Sequence, residues 1–423
     1  MSSWFEDFFR QRCLWWARER LSHYPSPAAV AADLAAINAY PNLSRLGPPR
    51  DILSLESWPD RANLLEMGRE LVLAGRVFWE HAAAGEGTRL GLGPKFFIQP
   101  TDLDPAWDSV DLCLGLRRLA RLIFDLGHLA RAVGLDPALV LARQRIMVVA
   151  AEETVERVAR LVLETFSALI PARNWLFMAQ LALPGLNRAP GQAWVFDPNS
   201  PKRLYNHGAM AWQKVMADQI FWREEPTGPK RFLSQGEFFQ LLGEFDDLVS
   251  LNVEDLDYLA GALDLEALGL AARLGQKGFG VVMEIVGNNP ERPIKGGMCA
   301  FDEILGRDVV IESFRLKGLE PRDIQYLNKN FNHYPRPAWV FAQLRDLGLF
   351  LPAAVHDERL YFQPVQGDLN FLVPTAFFSR QDKRGINSLK SPKDVPAALA
   401  ALRAQDAEPG FLTFLKSLPP RLA

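Results

Sequence analysis

The sequence predicts an α/β fold, a mixed sheet flanked by helices with a helical segment ahead of it, on three observations. Ile146-Met147-Val148-Val149-Ala150 is a fully apolar run of strand length, as a strand buried on both faces requires. Leu112, Leu116, Leu119 and Leu122 recur at spacings of three and four, the stripe of a helix packed on a core. From about Arg76 onward, short apolar runs alternate with amphipathic stretches, which is the order of strands joined by crossover helices.

Taken in order, residues 1–65 read as helices: Trp4, Phe5, Phe8, Phe9, Leu14 and Trp15 repeat near helical spacing, and Pro25 and Pro27 close the first of them. A core is expected over 66–370 and an extension over 371–423. Within the core, 110–133 reads as a helix, 146–150 as a strand and 152–169 as a helix. Further strands are expected at 175–178, 248–251 and 280–286. The chain is less regular after Pro335, and a short Ala/Leu helix is expected before Pro419-Pro420. No internal repeat or low-complexity block interrupts this order.

The 423 residues include 48% hydrophobic and 23% charged side chains, ordinary for a globular α/β protein, and one large domain with smaller additions accommodates them. A formal net charge of -3 gives no basic field, so nucleic acid is not an expected partner. Cys13, Cys113 and Cys299 are far apart and form no Cys-x-x-Cys spacing, which argues against a disulfide framework or structural zinc and for a reducing cytoplasm. Glu6 and Asp7 stand where an export signal would be basic, and no run reaches the roughly 18 apolar residues of a membrane span. The expectation is a cytoplasmic protein with no membrane association.

The segment richest in chemistry is Ala84-Gly85-Glu86-Gly87-Thr88-Arg89-Leu90-Gly91-Leu92-Gly93-Pro94-Lys95. Glycines let the backbone approach a phosphate chain with its amides turned inward, while Arg89 and Lys95 supply opposite charge. It lacks the Gly-Lys-Ser/Thr ending of a Walker loop and the Gly-x-Gly-x-x-Gly of dinucleotide binders. A triphosphate site is the functional reading; a purely structural glycine turn is the alternative.

From Met67-Gly68-Arg69-Glu70-Leu71 through Gly75-Arg76-Val77 to Gly85-Glu86-Gly87-Thr88-Arg89-Leu90-Gly91 and Pro94-Lys95, the chain resembles the UDP-sugar pyrophosphorylases. Their signature is Leu-x-Gly-Gly-x-Gly-Thr-Arg-Leu-Gly, three more residues, then Pro-Lys. Ala84 departs from it, as does the single pair Leu92-Gly93 between Gly91 and Pro94. The resemblance continues in order over roughly residues 65–370, through Met147-Val148-Val149 with Thr154 and Phe177-Met178-Ala179-Gln180 with Pro184. Asn206-His207-Gly208, Asn252-Val253-Glu254-Asp255-Leu256 followed by Asp264, and Met283-Glu284 come next. Lys295-Gly296-Gly297, Phe331-Asn332 and Phe362-Gln363-Pro364-Val365-Gln366 complete the series. The β-helix that ends many relatives is not expected, because the last residues lack its repetitive strands.

This resemblance implies a Rossmann-like, GT-A-like nucleotidyltransferase that joins UTP to a sugar 1-phosphate with Mg2+. By it, Ala84, Gly85, Gly87, Thr88, Arg89 and Lys95 meet the phosphates, and Gln180 reads uracil through an amide that both donates and accepts. His207 and Gly208 lie beside the nucleoside and sugar, Glu254 or Asp255 holds the metal, and Glu284, Gly296, Gly297 and Asn332 meet the sugar. Without the resemblance each has a plainer reading: Gln180 bonded to backbone, His207 an ordinary histidine, the acidic pair a solvated strand end. Two departures, His333-Tyr334-Pro335 after Asn332 and Gln366 at a lysine position, leave open a silent UDP-sugar binder or a transferase with another nucleotide or an unusual sugar.

Overall fold

The computed structural model of the chain describes residues 4–85, 87, 90–189, 191–252, 263–291, 293–380 and 389–419. Among these, the main sheet has 13 strands. From one edge to the other it runs Arg231–Phe232, Ile220–Trp222, Trp175–Gln180, Arg145–Ala151, Val77–Ala82, Asp247–Asn252, Tyr326–Pro335, Val281–Gly287, Thr375–Ser379 and Ile52–Ser54. Val77–Ala82, Arg145–Ala151 and Trp175–Gln180 are successive parallel neighbours, whereas Asp247–Asn252 pairs in parallel with the opposite side of Val77–Ala82. The strand order therefore reverses at Val77–Ala82, which is where sheets of this kind carry a crevice at the carboxyl ends of their strands. Tyr326–Pro335 is antiparallel to both neighbours and makes the sheet mixed.

The apolar runs form strands because both faces of the sheet are covered. Along Arg145–Ala151, Met147 and Val149 enter one core while Ile146, Val148 and Ala150 enter the other. Helix Leu114–Ala132 and helix Val155–Phe166 bury their apolar stripes on the second face, and helix Asn206–Val215 and helix Pro337–Leu347 cover the first. Helix Arg61–Ala74 and helix Leu265–Gln276 cross in intimate contact at Gly68 and Gly269. A Cβ on either glycine would fall 1.9 Å from a carbonyl oxygen of the other helix.

The expected helix over 110–133 is Leu114–Ala132, the strand at 146–150 extends to Arg145–Ala151, and the strand at 280–286 is Val281–Gly287. The N-terminal segment departs from the all-helical expectation. Trp4–Arg20, Pro27–Ala32 and Leu34–Ile37 are helices, but Leu46–Gly47 pairs with Met298–Asp302, and Ile52–Ser54 pairs with Thr375–Ser379. Pro27 begins a helix, with the Ser26 hydroxyl accepting from the Ala29 amide. Short strands of two or three residues carry no periodicity, so pairing partners decide them.

Neither residue 65 nor residue 370 interrupts the sheet, since its Ile52–Ser54 edge and the adjoining Thr375–Ser379 come from the two terminal segments. Phe5 and Phe9 of the first helix are fully buried, Phe9 edge-on to Tyr205 and Trp212. The closing helices Val395–Asp406 and Phe411–Ser417 clasp helix Leu114–Ala132 through Arg117–Asp406 at 2.8 Å, Arg121–Glu408 and Phe124 against Phe411. Among the described residues, no helix is long and apolar enough to cross a membrane.

Candidate nucleotide-sugar crevice

The glycine-rich turn leaves the carboxyl end of Val77–Ala82 at the reversal of strand order. The Ala83 amide donates to the Val149 carbonyl at 2.7 Å and pins the exit to the neighbouring strand. The turn closes on itself when the Lys95 amide donates to the Gly85 carbonyl at 3.0 Å. Gly87 has φ 58°, and a Cβ there would fall 2.6 Å from the Gly93 carbonyl oxygen, so only glycine fits. The Lys95 stem passes over Gly85, 3.7 Å from where a Cβ would project, and Ala84 and Lys95 are both buried. Thr88 and Arg89 lie outside the described residues. Beneath the turn, burial and then the charge of Arg118 push the His81 imidazole down to about 3, so it is neutral at physiological pH.

A second group forms at the end of Trp175–Gln180. The Gln180 side-chain nitrogen donates to the Asn206 carbonyl at 3.1 Å, a bond that does not use the amide oxygen. Asn206 adopts φ 61° and its side chain accepts from the His207 amide at 2.8 Å, a local bond that supports the left-handed turn. The Gln366 amide then donates to His207 Nδ1 at 2.9 Å, and the Gly208 amide to the Pro364 carbonyl at 3.0 Å. A Cβ on Gly208 would fall 2.4 Å from the Pro364 carbonyl carbon. Residues 180, 206–208 and 364–366, separate in sequence, thus form one contiguous surface.

Gly367 carries this surface into a third group. A Cβ on Gly297 would lie 3.3 Å from Glu312 Oε1, and one on Gly367 would lie 3.7 Å from the same oxygen. Gly296 is close-packed on Leu327, and the Asn328 amide donates to the Gly297 carbonyl at 2.8 Å. Glu312 is thus a carboxylate in contact with the Gly297 and Gly367 positions. Burial, reinforced by the charge of Asp368, raises Glu312 to about 7, while Lys390 and Arg315 pull it back. Burial likewise raises Asp368 to about 6 although Arg315 stands 3.3 Å away. Glu312 and Lys390 escaped the sequence reading; the available signal for Glu312 was a carboxylate ending the apolar run Val309-Val310-Ile311.

Glu284 and Asn332 sit deeper than the sequence implied. Glu284 is buried and its carboxylate is held by Arg380, Nε at 2.9 Å and a terminal nitrogen at 3.2 Å, with Lys329 Nζ at 3.8 Å. Arg380 also reaches Asp264 at 2.6 Å. Asn332 pairs with Ser250 on one side and Met283 on the other, inside the sheet. Glu254 and Asp255 lie outside the described residues, just beyond the end of Asp247–Asn252, whose Asn252 is opposite Ala82.

The two sequence departures have local partners. His333 Nδ1 and Asp247 Oδ2 are 2.6 Å apart and buried, and the Tyr334 hydroxyl lies beside the amides of Gln366 and Asn332. A further buried ion pair joins Lys214 to Glu80, whose other oxygen accepts from the Ser250 hydroxyl at 2.7 Å. Burial lowers the Lys214 pKa against the pull of Glu80. Both pairs are buried.

No protein-family model matches the chain, and no curated protein matches it in sequence. Solved structures match it in fold. The UDP-N-acetylglucosamine pyrophosphorylase of Trypanosoma brucei superposes with a TM-score of 0.62 at 14% identity, over 92% of this chain and 79% of that one. The UDP-glucose pyrophosphorylase of Leishmania major gives 0.54 at 13% identity, over 92% and 78%. The UDP-glucose phosphorylase of Trypanosoma brucei gives 0.54 at 15%, over 88% and 74%. The chain has the fold of the UDP-sugar pyrophosphorylases, in agreement with the resemblance carried by its motifs.

Proposed function

We propose that the protein is a uridylyltransferase that makes a UDP-sugar and pyrophosphate from UTP and a sugar 1-phosphate, on a Rossmann-like, GT-A-like sheet. The observation that carries this reading is that the turn over 85–95, the Gln180/His207/Gly208 surface and the Gly297/Glu312 group lie along one rim of the main sheet. The first leaves Val77–Ala82 where strand order reverses, the second is at the end of Trp175–Gln180, and the third is bonded to Asn328 at the adjoining end of Tyr326–Pro335. The three suit a triphosphate, a nucleoside and a sugar in that order.

In the reaction, an oxygen of the sugar phosphate attacks the α-phosphorus of UTP in line. A new P–O bond forms as the bond to the β-phosphate bridging oxygen breaks, and pyrophosphate leaves with that electron pair. No proton transfer to carbon and no covalent enzyme intermediate is involved, so positioning and charge neutralisation supply the rate. Lys95 and Arg89 take the UTP phosphates. The side-chain oxygen of Gln180 accepts from uracil N3–H, and Glu312 accepts from sugar hydroxyls laid against Gly296 and Gly297. Lys390, close enough to Glu312 to act on its charge, is the cation offered to the sugar phosphate in place of Gln366. Glu284 and Asn332 act from behind, one as the partner of Arg380 and the other beside Tyr334.

Glu254 and Asp255 are the groups that would hold Mg2+, and their hard oxygen donors fit that ion. When bound, it would neutralise phosphate charge. The described strand end, Asn252 opposite Ala82 where the glycine-rich turn begins, supports this role.

The test is pyrophosphate release from UTP, Mg2+ and a panel of sugar 1-phosphates, with Lys95→Ala alongside. Turnover that falls at least about 100-fold in the variant is expected from the loss of a phosphate cation. Absence of both turnover and UTP binding in the wild-type protein would overturn the proposal.

A further inference from the structure

A second cavity, of about 820 Å³, lies away from the crevice at the opposite ends of the parallel strands. It is enclosed by the start of Thr375–Ser379, the Phe279 approach to Val281–Gly287, the Ile52–Ser54 edge, and the helices Arg61–Ala74 and Leu265–Gln276. Its volume falls in the range that holds a small organic molecule. Leu53, Trp58, Phe279 and Phe377 contribute much of an apolar wall, with Trp58 and Phe279 only half-buried although large and aromatic.

The charges of the wall are formally balanced, yet they differ in what already occupies them. Asp308 accepts from the Arg50 and Asp51 amides at 2.7–3.0 Å, and Asp60 caps its helix by accepting from the Asn63 amide at 3.3 Å. The guanidinium of Arg307 donates to the carbonyls of Val373 and Phe371, both at 3.1 Å. Arg273 and Lys277 have no carboxylate partner among the described residues. Arg273 reaches only Gln276 at 3.5 Å, and Lys277 Nζ stands 5.6 Å over the Trp58 ring. Asp51 is the remaining carboxylate, so two uncommitted cations face one uncommitted anion beside an aromatic wall.

We propose that this cavity is a second small-molecule site and that it takes an amphipathic anion: a flat apolar body against Trp58, Phe279 and Phe377, with one anionic head at Arg273 and Lys277. The apolar body gains from leaving water, and the head supplies the partner that the two cations lack. The site is separate from the crevice. It touches helix Leu265–Gln276 and strand Thr375–Ser379 at the ends opposite Asp264 and Arg380, which pair at 2.6 Å.

The experiment titrates the full chain with anilinonaphthalene sulfonate, a fluorescent aromatic anion, and in parallel with neutral N-phenylnaphthylamine. One molar equivalent of the anion is expected to bind, saturating UTP is expected not to displace it, and the neutral probe is expected to bind at least tenfold more weakly. The double variant Arg273→Glu/Lys277→Glu, on exposed positions, should weaken the anion at least tenfold with unchanged circular dichroism. Leu53→Trp should obstruct the apolar end and lower affinity independently of charge. Equal binding of the two probes, displacement by UTP, or undiminished affinity in both variants would each overturn the proposal.

Discussion

The backbone amide of Gln366 donates to Nδ1 of His207 at 2.9 Å, joining two segments 159 positions apart. An imidazole that accepts at Nδ1 must carry its proton on Nε2, so the bond fixes both the ring plane and the tautomer. The residue that breaks the expected lysine pattern is thereby tied through its backbone to the Asn206-His207-Gly208 turn.

Loss of that acceptor leaves the buried Gln366 amide without its partner. His207→Ala is expected to weaken UTP binding by about 1–3 kcal/mol, roughly 5- to 150-fold in Kd, the cost of an unsatisfied donor. His207→Asn places a side-chain oxygen near the Nδ1 position and should recover at least half of that loss. Calorimetric titration with UTP reads both; equal affinities for the Ala and Asn variants would show that the hydrogen bond is not what His207 contributes.

Arg380 joins Glu284 to Asp264, the first described acidic residue after the stretch that contains Glu254 and Asp255. Its removal leaves Glu284 buried with Lys329, at 3.8 Å, as its one cation among the described residues. Arg380→Met is expected to raise the Mg2+ concentration needed for half-maximal turnover several-fold, because Glu284 and Asp264 lose the cation they share. Arg380→Lys should keep charge but lose the two-carboxylate span, giving an intermediate value. An unchanged Mg2+ dependence in the Met variant would remove Arg380 from any positioning role.

Burial raises Glu312 to about 7, above its ordinary value of 4.5. A carboxyl whose folded pKa is raised favours the folded state most when protonated. That stability is fully present below about pH 4.5 and is lost as pH rises through about 7. Glu312→Gln removes the titration. The variant should gain on the wild-type protein between pH 4.5 and 7, by about 1–2 kcal/mol once the residue's partial exposure is allowed for. Chemical denaturation across that range measures it, and parallel curves at every pH would contradict the assignment.

Lys214 and Glu80 are both 0% exposed, so each depends on the other for compensation of its charge. Lys214→Met leaves Glu80, among the described residues, with the Ser250 hydroxyl as its one side-chain partner and should cost about 3–5 kcal/mol in unfolding free energy. The double variant Lys214→Met/Glu80→Gln, which also removes the charge left behind, should recover most of it. A double variant as unstable as the single one would show that packing around Phe341, 4.3 Å from the ammonium, dominates instead.

The central strands were legible in the order of amino acids. The runs 146–150 and 175–178 are apolar on both sides, as is 281–286 apart from Glu284, and such runs find water-free surroundings only between two covered faces. The Gly85–Lys95 turn was legible for the same local reason: Gly87 at φ 58° against the Gly93 carbonyl needs its own kind of residue, and composition records that need. Which charges and short strands act together emerged only on folding. Glu312 became the carboxylate beside Gly297, and Arg380 the partner of Glu284, because the fold packs segments tens of residues apart. Ile52–Ser54 became an edge of the sheet because Thr375–Ser379 offered an open hydrogen-bonding side. Local periodicity carries information on which faces are buried, whereas the pairing of a lone charge or a three-residue strand is set by whatever the rest of the chain brings to it.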